Sequence, residues 1–547
     1  MQEWIITLHN KEDLESFYED IETEGGDLFI PDRAVDLVHR RLISRNTHYM
    51  LDKEEAELIK QDDRVWDVEL AEFANNVKPA WKVTEKFSKD WFTDEADVNW
   101  GLLRHSEATN RSNWGSNGTS NITETLTVTA SGKNVDVVIV DGHIDPAHPE
   151  FAVNMDGSGG SRVNQFNWFS LTNAVTGGSN GTYSYDRAGS YTNSIDEQDN
   201  NHGCHCGGTV AGNSQGWARD ANVYNISPYS TTPNTLSSSL MWDYIRQWHN
   251  TKAVNSETGR KNPTITNNSY GSGFDIGEDG WGLITEINYR GTNFAPGRDL
   301  TQAELQARGC YAPNVNAFVS IPYWTTSREA DLQDAIDDGI IIVASAGNDS
   351  WKTVNSTDQD YNNTFTAALN GTPYTLSLHR GTLSGAGYAP VINVGAQSND
   401  TNEDKANFSN CGSQVDIYAA GEGIQSSLHS GGTADSRNSS YQLGKYQGTS
   451  MAGPQVAGVL AILAESWPNM NQAQAQEWLI NNSNKDIMAD TETDDPMDRD
   501  SLQGAPNRML RWINQRSVSG NNFPQKNFNA RPTTGCCYPR QRIRRRG

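Results

Sequence analysis

Three segments of the chain carry side chains that can move protons or attack a carbonyl carbon. VDVVIVDGHIDPAHPEF is an apolar run that ends at Asp141. HGCHCGGTVAG places His202 before a series of small residues, and YQGTSMAGPQVAGVLAIL places Ser450 at the start of a long apolar stretch. Nucleophilic hydrolysis needs these group types: a hydroxyl nucleophile, an imidazole that takes its proton and an acid that orients the imidazole.

Each of these residues also has a structural interpretation. Asp141 could cap a turn, although ligands of open parallel sheets bind beyond the carboxyl ends of strands. Ser450 could be an ordinary N-cap, or it could use the free N–H groups and dipole of a helix start. Residues 202–206 include four metal-ligand side chains, but they are too close in sequence for the usual tetrahedral spacings. We therefore predict a general base at His202 and assign no metal ligand.

The order of the residues along the chain separates the families of serine hydrolases. The 11 His residues end at His429, so none follows Ser450. An α/β-hydrolase requires the order Ser, acid, His, and is excluded for this serine. The order Asp141, His202, Ser450 is the order found in subtilisin.

Several segments together resemble the subtilases, the subtilisin-like serine proteases. GTSMAGPQVAG matches the nucleophile motif of that family throughout, HGCHCGGTVAG resembles its His motif and VDGHIDPAHPEF resembles its Asp motif. ASAGND resembles the segment with the oxyanion-hole Asn, which is Asn348 here. ITNNSYG resembles the edge strand that pairs with substrate, and DIYAAGEGI resembles another family block.

The resemblance implies a mechanism and a substrate site. Ser450 would attack the peptide carbonyl, His202 would take and return the proton, and Asp141 would orient His202. The Asn348 amide and the Ser450 N–H would hold the oxyanion. An extended peptide would pair with an edge strand formed by Asn267, Asn268, Ser269, Tyr270 and Gly271. A roomy pocket wall, compatible with large apolar side chains, would consist of Ser345, Ala346 and Gly347.

Two of the motifs depart from the family pattern. Gly142 and His143 replace the usual Ser/Thr-Gly, and Cys204 and Cys206 replace Thr and Val. Cys206 and the segment NWGLLRHS resemble the proteinase K-like branch of the family. A Cys at such a position is more often a buried apolar side chain than a reactive group. The departures leave an alternative function open: a catalytically impaired relative that acts as a structural or binding protein.

The secondary structure must bring these distant residues together. Short apolar runs followed by Gly- or Asn-rich turns predict strands at 135–140, 222–226, 264–266, 340–345, 391–394 and 415–418. Helices are predicted at 236–249, 327–338, 450–466 and 471–481. This alternation predicts an α/β fold with a central parallel sheet and helices on both faces.

The chain divides into four predicted parts. Residues 1–77 read as a small α+β domain, with a helix capped by Asp52 and Glu55, and resemble the ferredoxin-like, inhibitor-like propeptide of subtilases. Residues 78–98 are a linker, 99–515 the catalytic domain and 516–547 a polar and basic tail. We expect self-cleavage within residues 73–94. Residues 272–326 are an insert that either shapes substrate choice or is a surface excursion with its own core.

Composition limits the partners. The net charge of −25 makes the chain a poor general binder of nucleic acid or anionic membrane. No apolar run is long enough for a membrane span, and the N-terminus lacks a standard secretory signal. The partners that the subtilase resemblance implies are a polypeptide substrate and the chain's own propeptide. An extracellular location or one in an assembling virion fits the sequence, which does not decide between them.

The chemistry requires no cofactor. Subtilases often bind structural calcium, and residues 196–201 could supply oxygen ligands. The six Cys are too few for a disulfide scaffold, although the adjacent Cys536 and Cys537 could pair with another chain. A third function also stays open, that of a processing protease which acts on a single assembly partner.

Overall fold

The structure is a computed structural model. It describes residues 1–30, 36–40, 46–70, 85–87, 99–106, 126–128, 130–176, 201–227, 241–271, 273–276, 284–298, 300–310, 319–322, 326–369, 372–381, 389–400, 402–491 and 498–512. Several predictions concern residues outside this part: most of the linker and of the cleavage segment, the calcium loop before Asn201, and the tail with Cys536 and Cys537.

Residues 1–70 form a small unit with the element order βαββαβ. Its elements are β1 (Gln2–Leu8), α1 (Leu14–Glu22), β2 (Asp36–Arg40), β3 (Asn46–Leu51), α2 (Lys53–Ile59) and β4 (Val65–Leu70). The strand order β2-β3-β1-β4, with all neighbours antiparallel, is that of the ferredoxin-like fold. The α+β fold predicted for this part is therefore present, whereas its role as a propeptide stays a prediction.

The predicted cap of α2 is formed by two reciprocal hydrogen bonds. Glu55 N donates to Asp52 Oδ1 at 2.9 Å, and Asp52 N donates to Glu55 Oε2 at 2.8 Å. A capping box is a local signal, which is why the sequence identifies it. Both helices pack on the sheet around a buried cluster that includes Ile6, Phe17, Ile21, Tyr49, Ala56 and Ile59.

The strands of the remaining chain are numbered in chain order. They are β5 (Glu85–Phe87), β6 (Leu126–Val128), β7 (Asp136–Val140), β8 (Asn222–Ile226), β9 (Thr264–Asn268), β10 (Gly273–Ile276), β11 (Ile284–Tyr289), β12 (Thr292–Phe294), β13 (Val319–Pro322), β14 (Ile341–Ser345), β15 (Thr364–Leu369), β16 (Thr372–Ser377), β17 (Ile392–Gln397), β18 (Ile417–Ala420), β19 (Ile424–Leu428), β20 (Thr433–Asp435), β21 (Asn438–Tyr446), β22 (Asn484–Lys485) and β23 (Arg508–Met509).

The helices of this part follow the same numbering. They are α3 (Trp100–Arg104), α4 (Thr172–Thr176), α5 (His202–Ala211), α6 (Met241–Thr251), α7 (Gln302–Gln306), α8 (Thr326–Asp337), α9 (Thr449–Ser466) and α10 (Gln472–Asn482). Short 3₁₀ helices lie at Lys11–Asp13, Pro149–Phe151 and Trp168–Leu171.

An eight-stranded sheet organises the part of the chain with the candidate site. Its order is β22-β23-β18-β17-β14-β9-β7-β8, and all neighbours except the β22-β23 pair are parallel. Val137 and Ile139 of β7 face a buried cluster shared with α5 and α9, while Val138 and Val140 face another shared with α6 and α8. Helices therefore cover both faces, as predicted, and this explains why β7 (DVVIV) and β14 (IIVAS) are almost entirely apolar.

A second, antiparallel sheet has the order β12-β11-β15-β16. It combines β11 and β12, from the predicted insert, with β15 and β16, which follow Asn348 in the chain. Its buried core contains Ile284, Ile287, Leu305, Trp351, Phe365 and Leu378. The insert thus has a small core, but that core is completed by a second segment that the sequence does not mark as an insert.

Three smaller sheets complete the strands of the described residues. β10 pairs with β13, and β19, β21 and β20 form a three-stranded sheet. β5, inside the predicted linker, pairs antiparallel with β6. The sequence does not predict β5, because its segment is polar and has no strand period.

Candidate active site

Asp141 and His202 meet at the carboxyl end of the parallel sheet. Asp141 follows the last residue of β7 and is fully buried, and His202 is the first residue of α5. His202 Nδ1 lies 2.8 Å from Asp141 Oδ1, which also accepts a hydrogen bond from Gly142 N at 2.7 Å. The carboxylate thus holds one ring nitrogen, while the imidazole side chain is 32% exposed.

The start of α5 is fixed by Asn201, which the sequence suggested only as part of a calcium-binding segment. Asn201 precedes His202 with a left-handed φ of 63°. Its side-chain oxygen accepts hydrogen bonds from His429 N at 2.8 Å and Ser430 N at 3.1 Å. The bonds tie the helix start to the end of β19. No sequence signal marks Asn201, because its partners lie more than 200 positions away.

The electrostatic environment favours a protonated His202. Burial alone would lower the pKa of His202, but the carboxylate of Asp141 outweighs burial and raises the pKa well above the usual value. Burial also raises the pKa of the Cys206 thiol, so Cys206 is neutral at neutral pH. Asp141 is therefore the group that stabilises the imidazolium.

Cys206 lies between the imidazole and the serine. Its Sγ is 3.9 Å from His202 Nδ1 and 3.3 Å from the carbonyl oxygen of Ser450, to which the thiol donates. Cys206 is completely buried, in agreement with the prediction of a small apolar side chain. Contact with both residues brings α5 and α9 together at the site.

Ser450 is not an N-cap. Gly448 caps α9, and Ser450 is the second residue of the helix, 7% exposed. Its hydroxyl donates to Ser269 O at 3.3 Å, and the Ser269 hydroxyl donates to Ser450 O at 3.0 Å. These two bonds connect the nucleophile candidate to the segment predicted to bind substrate.

Asn348 lies opposite Ser450 on an exposed turn after β14. Its Oδ1 accepts hydrogen bonds from Thr449 N and Thr449 Oγ1, both at 2.8 Å. A Cβ atom placed on Gly448 would lie 3.4 Å from Asn348 Nδ2 and 3.5 Å from Ser450 N. Two N–H donors therefore flank one point in space, which is the arrangement of an oxyanion hole.

The predicted substrate strand is placed differently from the expectation. β9 lies in the middle of the sheet, with Asn268 paired to both β7 and β14, and Asn267 and Asn268 are buried. The expectation of an edge strand does not fit these two residues, because their strand has neighbours on both sides. Residues 269–271 leave the sheet after β9, so a peptide could pair only with these three.

The predicted pocket wall follows β14. Ser345 is the last residue of this strand and Ala346 and Gly347 follow it, with Ala346 packed against Val415 and Tyr418. Ser345 and Ala346 are almost completely buried, and Gly347 is partly exposed. The residues lie beside the Asn348 turn, and contact with a substrate side chain stays a prediction.

Of the four metal-ligand side chains of residues 202–206, His202 and Cys206 lie close together, while Cys204 and His205 lie outside this group. His205 stacks on Tyr446, with ring centroids 4.8 Å apart, and its Nε2 lies 2.8 Å from Ile424 O. Burial raises the pKa of the Cys204 thiol to about 12, which disfavours the thiolate that binds metals. Ligand atoms of Asp141, His202 and Cys206 do lie within 4.8 Å of one another. The Asp141–His202 bond and the 3.9 Å contact between Cys206 Sγ and His202 Nδ1 account for this proximity.

Comparison with known proteins identifies the family. Residues 132–512 match the model described as the subtilase family, and this range includes Asp141, His202, Asn348 and Ser450. The chain belongs to the subtilase family. The resemblance in the sequence is thereby confirmed for the family, while the proteinase K-like branch stays a prediction. In the part of this subtilase that the structure describes, no helix combines the length and apolarity that a membrane crossing requires.

Curated relatives of this subtilase are subtilisins and fungal proteases. Subtilisin amylosacchariticus of Bacillus subtilis is 32% identical over 165 residues, which are 30% of this chain and 34% of the relative. Subtilisin-like protease 8 of Trichophyton verrucosum is 24% identical over 312 residues, which are 55% of this chain and 46% of the relative. The chain thus aligns with about a third of the subtilisin and less than half of the fungal protease.

Two solved structures are also similar to this subtilase. A cold-adapted subtilisin-like serine proteinase has 18% identity and a TM-score of 0.42, covering 76% of this chain and 98% of its own. A protease of Pseudoalteromonas arctica has 17% identity and a TM-score of 0.39, covering 76% of this chain and 97% of its own.

Proposed function

We propose that this subtilase is a serine endopeptidase with Ser450 as nucleophile, His202 as general base and Asp141 as the group that orients His202. The observation that carries the proposal is the 2.8 Å contact between Asp141 Oδ1 and His202 Nδ1. This contact leaves Nε2 as the ring nitrogen that can accept a proton. Cys206, in contact with His202 and with Ser450, keeps the imidazole and the serine on the same side of the sheet.

The reaction begins with a rotation of the Ser450 hydroxyl away from Ser269 O and towards His202 Nε2. His202 takes the proton as Ser450 Oγ bonds to the carbonyl carbon, and the carbonyl oxygen becomes an oxyanion between Asn348 Nδ2 and Ser450 N. The imidazolium then gives its proton to the leaving amine. Water, activated by His202 in the same way, hydrolyses the acyl-enzyme and frees Ser450.

The substrate is an extended polypeptide that pairs with residues 269–271. These follow β9 where the main-chain groups are no longer enclosed by β7 and β14, so they can accept a further strand. Ser269 O, which accepts from the Ser450 hydroxyl, is one main-chain acceptor of this segment. A peptide N–H that bonds there would release the hydroxyl for attack.

The protein is made as a self-inhibited zymogen that cleaves itself. In this proposal residues 1–77 are the inhibitor-like domain, 78–98 the linker, 99–515 the catalytic domain and 516–547 the tail. Support comes from the separate hydrophobic core and ferredoxin-like order of residues 1–70. Self-cleavage would fall within residues 73–94.

The alternative of a catalytically impaired relative rests on the altered residues beside Asp141 and His202. His143 is completely buried, and Asp141 keeps its hydrogen bond to His202 despite the change. Cys204 is also buried. These observations favour the peptidase.

Intact mass of the purified wild type and of Ser450→Ala tests the proposal. The wild type should lose an N-terminal piece that ends within residues 73–94, while Ser450→Ala stays whole and hydrolyses no peptide. Ser466→Ala, at the other end of α9, is the matched control and should process normally. If the wild type stays whole and cleaves no unrelated peptide, the result would contradict the peptidase proposal and favour the catalytically impaired relative. Cleavage of a single partner alone would favour the processing protease.

A further inference from the structure

The turn that carries Asn348 is held by the side chain of Asn410. Asn410 Nδ2 donates to Ala346 O at 2.7 Å, on the strand side of Asn348. Asn410 Oδ1 accepts from Asp349 N at 3.0 Å and from Trp351 N at 2.9 Å, on the other side. One amide group therefore bridges the main chain before and after Asn348.

The main chain of Asn410 and its neighbours add to this bridge. Asn410 N donates to Gly347 O at 2.9 Å, Ser350 N donates to Phe408 O at 2.8 Å and Cys411 N donates to Trp351 O at 2.9 Å. Residues 408–411 thus run beside the turn over its whole length. Asn410 is completely buried, so water cannot replace its bonds.

The bridge depends on Gly347. This residue has a φ of 108°, which side chains of L-residues rarely adopt, and a Cβ atom there would overlap Asn410 Nδ2. Gly347 and Asn410 therefore fit each other. Gly347 therefore has a structural role, the close approach of Asn410, in addition to its predicted place in the pocket wall.

The far end of the turn is anchored in the second sheet. Trp351 is 1% exposed in the core formed with β11 and β15, and its Nε1 donates to Leu378 O at 2.7 Å. The turn is thus fixed at both ends. Asn348 itself is exposed, and its side-chain oxygen accepts hydrogen bonds from Thr449.

We propose that Asn410 is a positioning residue for the oxyanion hole, which acts by holding the main chain of Asn348. The inference rests on the proposed peptidase function. An oxyanion donor is effective only when it is fixed before the reaction, because its orientation then costs nothing as charge develops. Asn410 does not touch the substrate, and its loss lets the Asn348 turn relax away from Ser450 N.

The main experiment compares peptide hydrolysis by wild type, Asn410→Ala and a matched control. Asn410→Ala should lower kcat by about 10- to 100-fold, the range for a small misplacement of a catalytic group, with KM little changed. Asn213→Ala is the control, since Asn213 is buried and its side-chain amide donates to Pro149 O, Ala152 O and Asn154 O, in a loop apart from Asn348. It should reduce thermal stability while kcat per folded molecule is retained.

A double variant tests whether Asn410 acts through Asn348. Loss of an oxyanion Asn costs about 10²–10³ in turnover, a value that comes from subtilisin, a member of this same family. In an Asn348→Ala background, Asn410→Ala should cause little further loss of kcat, because the group that it positions is already absent. Full additivity of the two losses would overturn the inference.

Asn410→Asp keeps the inference testable if the Ala variant does not fold. Asp retains an acceptor for Asp349 N and Trp351 N and loses the donor to Ala346 O, so its kcat should fall between wild type and Asn348→Ala. An Asn410→Asp enzyme with normal kcat and an altered melting temperature would assign a structural role only. Equal peptide hydrolysis by wild type and Asn348→Ala would overturn the inference, because Asn410 would then have no oxyanion donor to position, whereas a wild type that hydrolyses no peptide would contradict the proposed function itself.

Discussion

Thr449 donates both its N–H and its hydroxyl to Asn348 Oδ1, each at 2.8 Å. A Cβ atom built on Gly448 would lie 3.4 Å from Asn348 Nδ2, 3.5 Å from Ser450 N and 3.6 Å from Asn348 Oδ1, so this end of the amide lies beside Ser450 N. The two hydrogen bonds occupy Oδ1 and leave Nδ2 as the donor of the amide. Gly448, which has no side chain, keeps the space beside Nδ2 and Ser450 N open.

Gly448→Ala should abolish most of the activity. Gly448 has a φ of 148°, and an added Cβ would lie about equally far from Asn348 Nδ2 and Ser450 N. The methyl group would occupy the place of the oxyanion and strain the helix start. We expect kcat to fall by about 10²-fold or more, as after loss of an oxyanion donor. Steady-state kinetics measure the loss of kcat. A folded Gly448→Ala protein with the kcat of the wild type would contradict the proposed oxyanion hole at Asn348 and Ser450 N.

Activity should rise with pH through the pKa of His202. A general base must be neutral, and the Asp141 carboxylate raises the pKa of His202 above its usual value. The acidic limb of kcat/KM should therefore have its midpoint above about 6.5, the usual pKa of histidine. Asp141→Asn should move the midpoint to lower pH and reduce kcat by about 10⁴-fold, since the imidazole loses its orienting acceptor. An unchanged midpoint in Asp141→Asn would show that another group titrates.

Thiophilic mercury compounds should inhibit the enzyme through Cys206. The Sγ atom lies 3.9 Å from His202 Nδ1, so a mercury atom on sulfur would displace the imidazole. A displacement of about 1 Å is enough for a loss of about 10²-fold. Cys206→Ala should be resistant, whereas Cys204→Ala, the matched control at the neighbouring buried thiol, should remain sensitive. Equal inhibition of wild type and Cys206→Ala in a peptidase assay would show that mercury acts at a site other than Cys206.

Asp416→Asn should stabilise the fold at neutral pH. Burial raises the pKa of Asp416 to about 6, above the value of about 3.9 in an unfolded chain. The native state therefore binds the proton more tightly, and stability falls as pH rises from about 4 to 6 and stays low above. The side-chain oxygen of the new amide at position 416 can keep the hydrogen bond from Asn393 N. If the Gln476 amide flips end for end, its oxygen can accept a hydrogen bond from the NH₂ group of that new amide.

The stabilisation by Asp416→Asn should reach about 1–2 kcal/mol at pH 7.5 and become small at pH 4.5. Denaturant unfolding of the inactive Ser450→Ala protein, with a chelator so that no bound cation contributes, measures the difference. A variant that is less stable than its parent at pH 7.5 would mean that the carboxylate is needed in the native state.

Local patterns in the sequence predicted much of the fold. Nearly continuous apolar runs identified β7, β14 and β18, because strands of a parallel sheet are buried on both faces. The capping box at Asp52 and Glu55 was recognisable because all its atoms belong to one helical turn. The family motifs then gave Asp141, His202, Ser450 and Asn348 as candidates.

The pairing of distant segments was not predictable in the same way. The sequence suggested an edge strand at Asn267 and Asn268, but the partners of β9 on both sides are decided by the whole sheet. The second sheet likewise joins residues 284–294 to residues 364–377. Nothing in the sequence of either segment indicates which strand it pairs with. Strand periodicity records which face is buried and not which strand lies alongside.

The sequence by itself therefore determined the candidate chemistry of this protein: the nucleophile, base and acid, their order and the strands and helices that carry them. Only the tertiary structure decided how that chemistry is held. Asn201, Asn410 and Thr449 fix His202 and Asn348 through hydrogen bonds to residues far away in the chain. Such bonds depend on distances and angles in space. The sequence alone does not distinguish a buried, hydrogen-bonded Asn from an exposed polar residue.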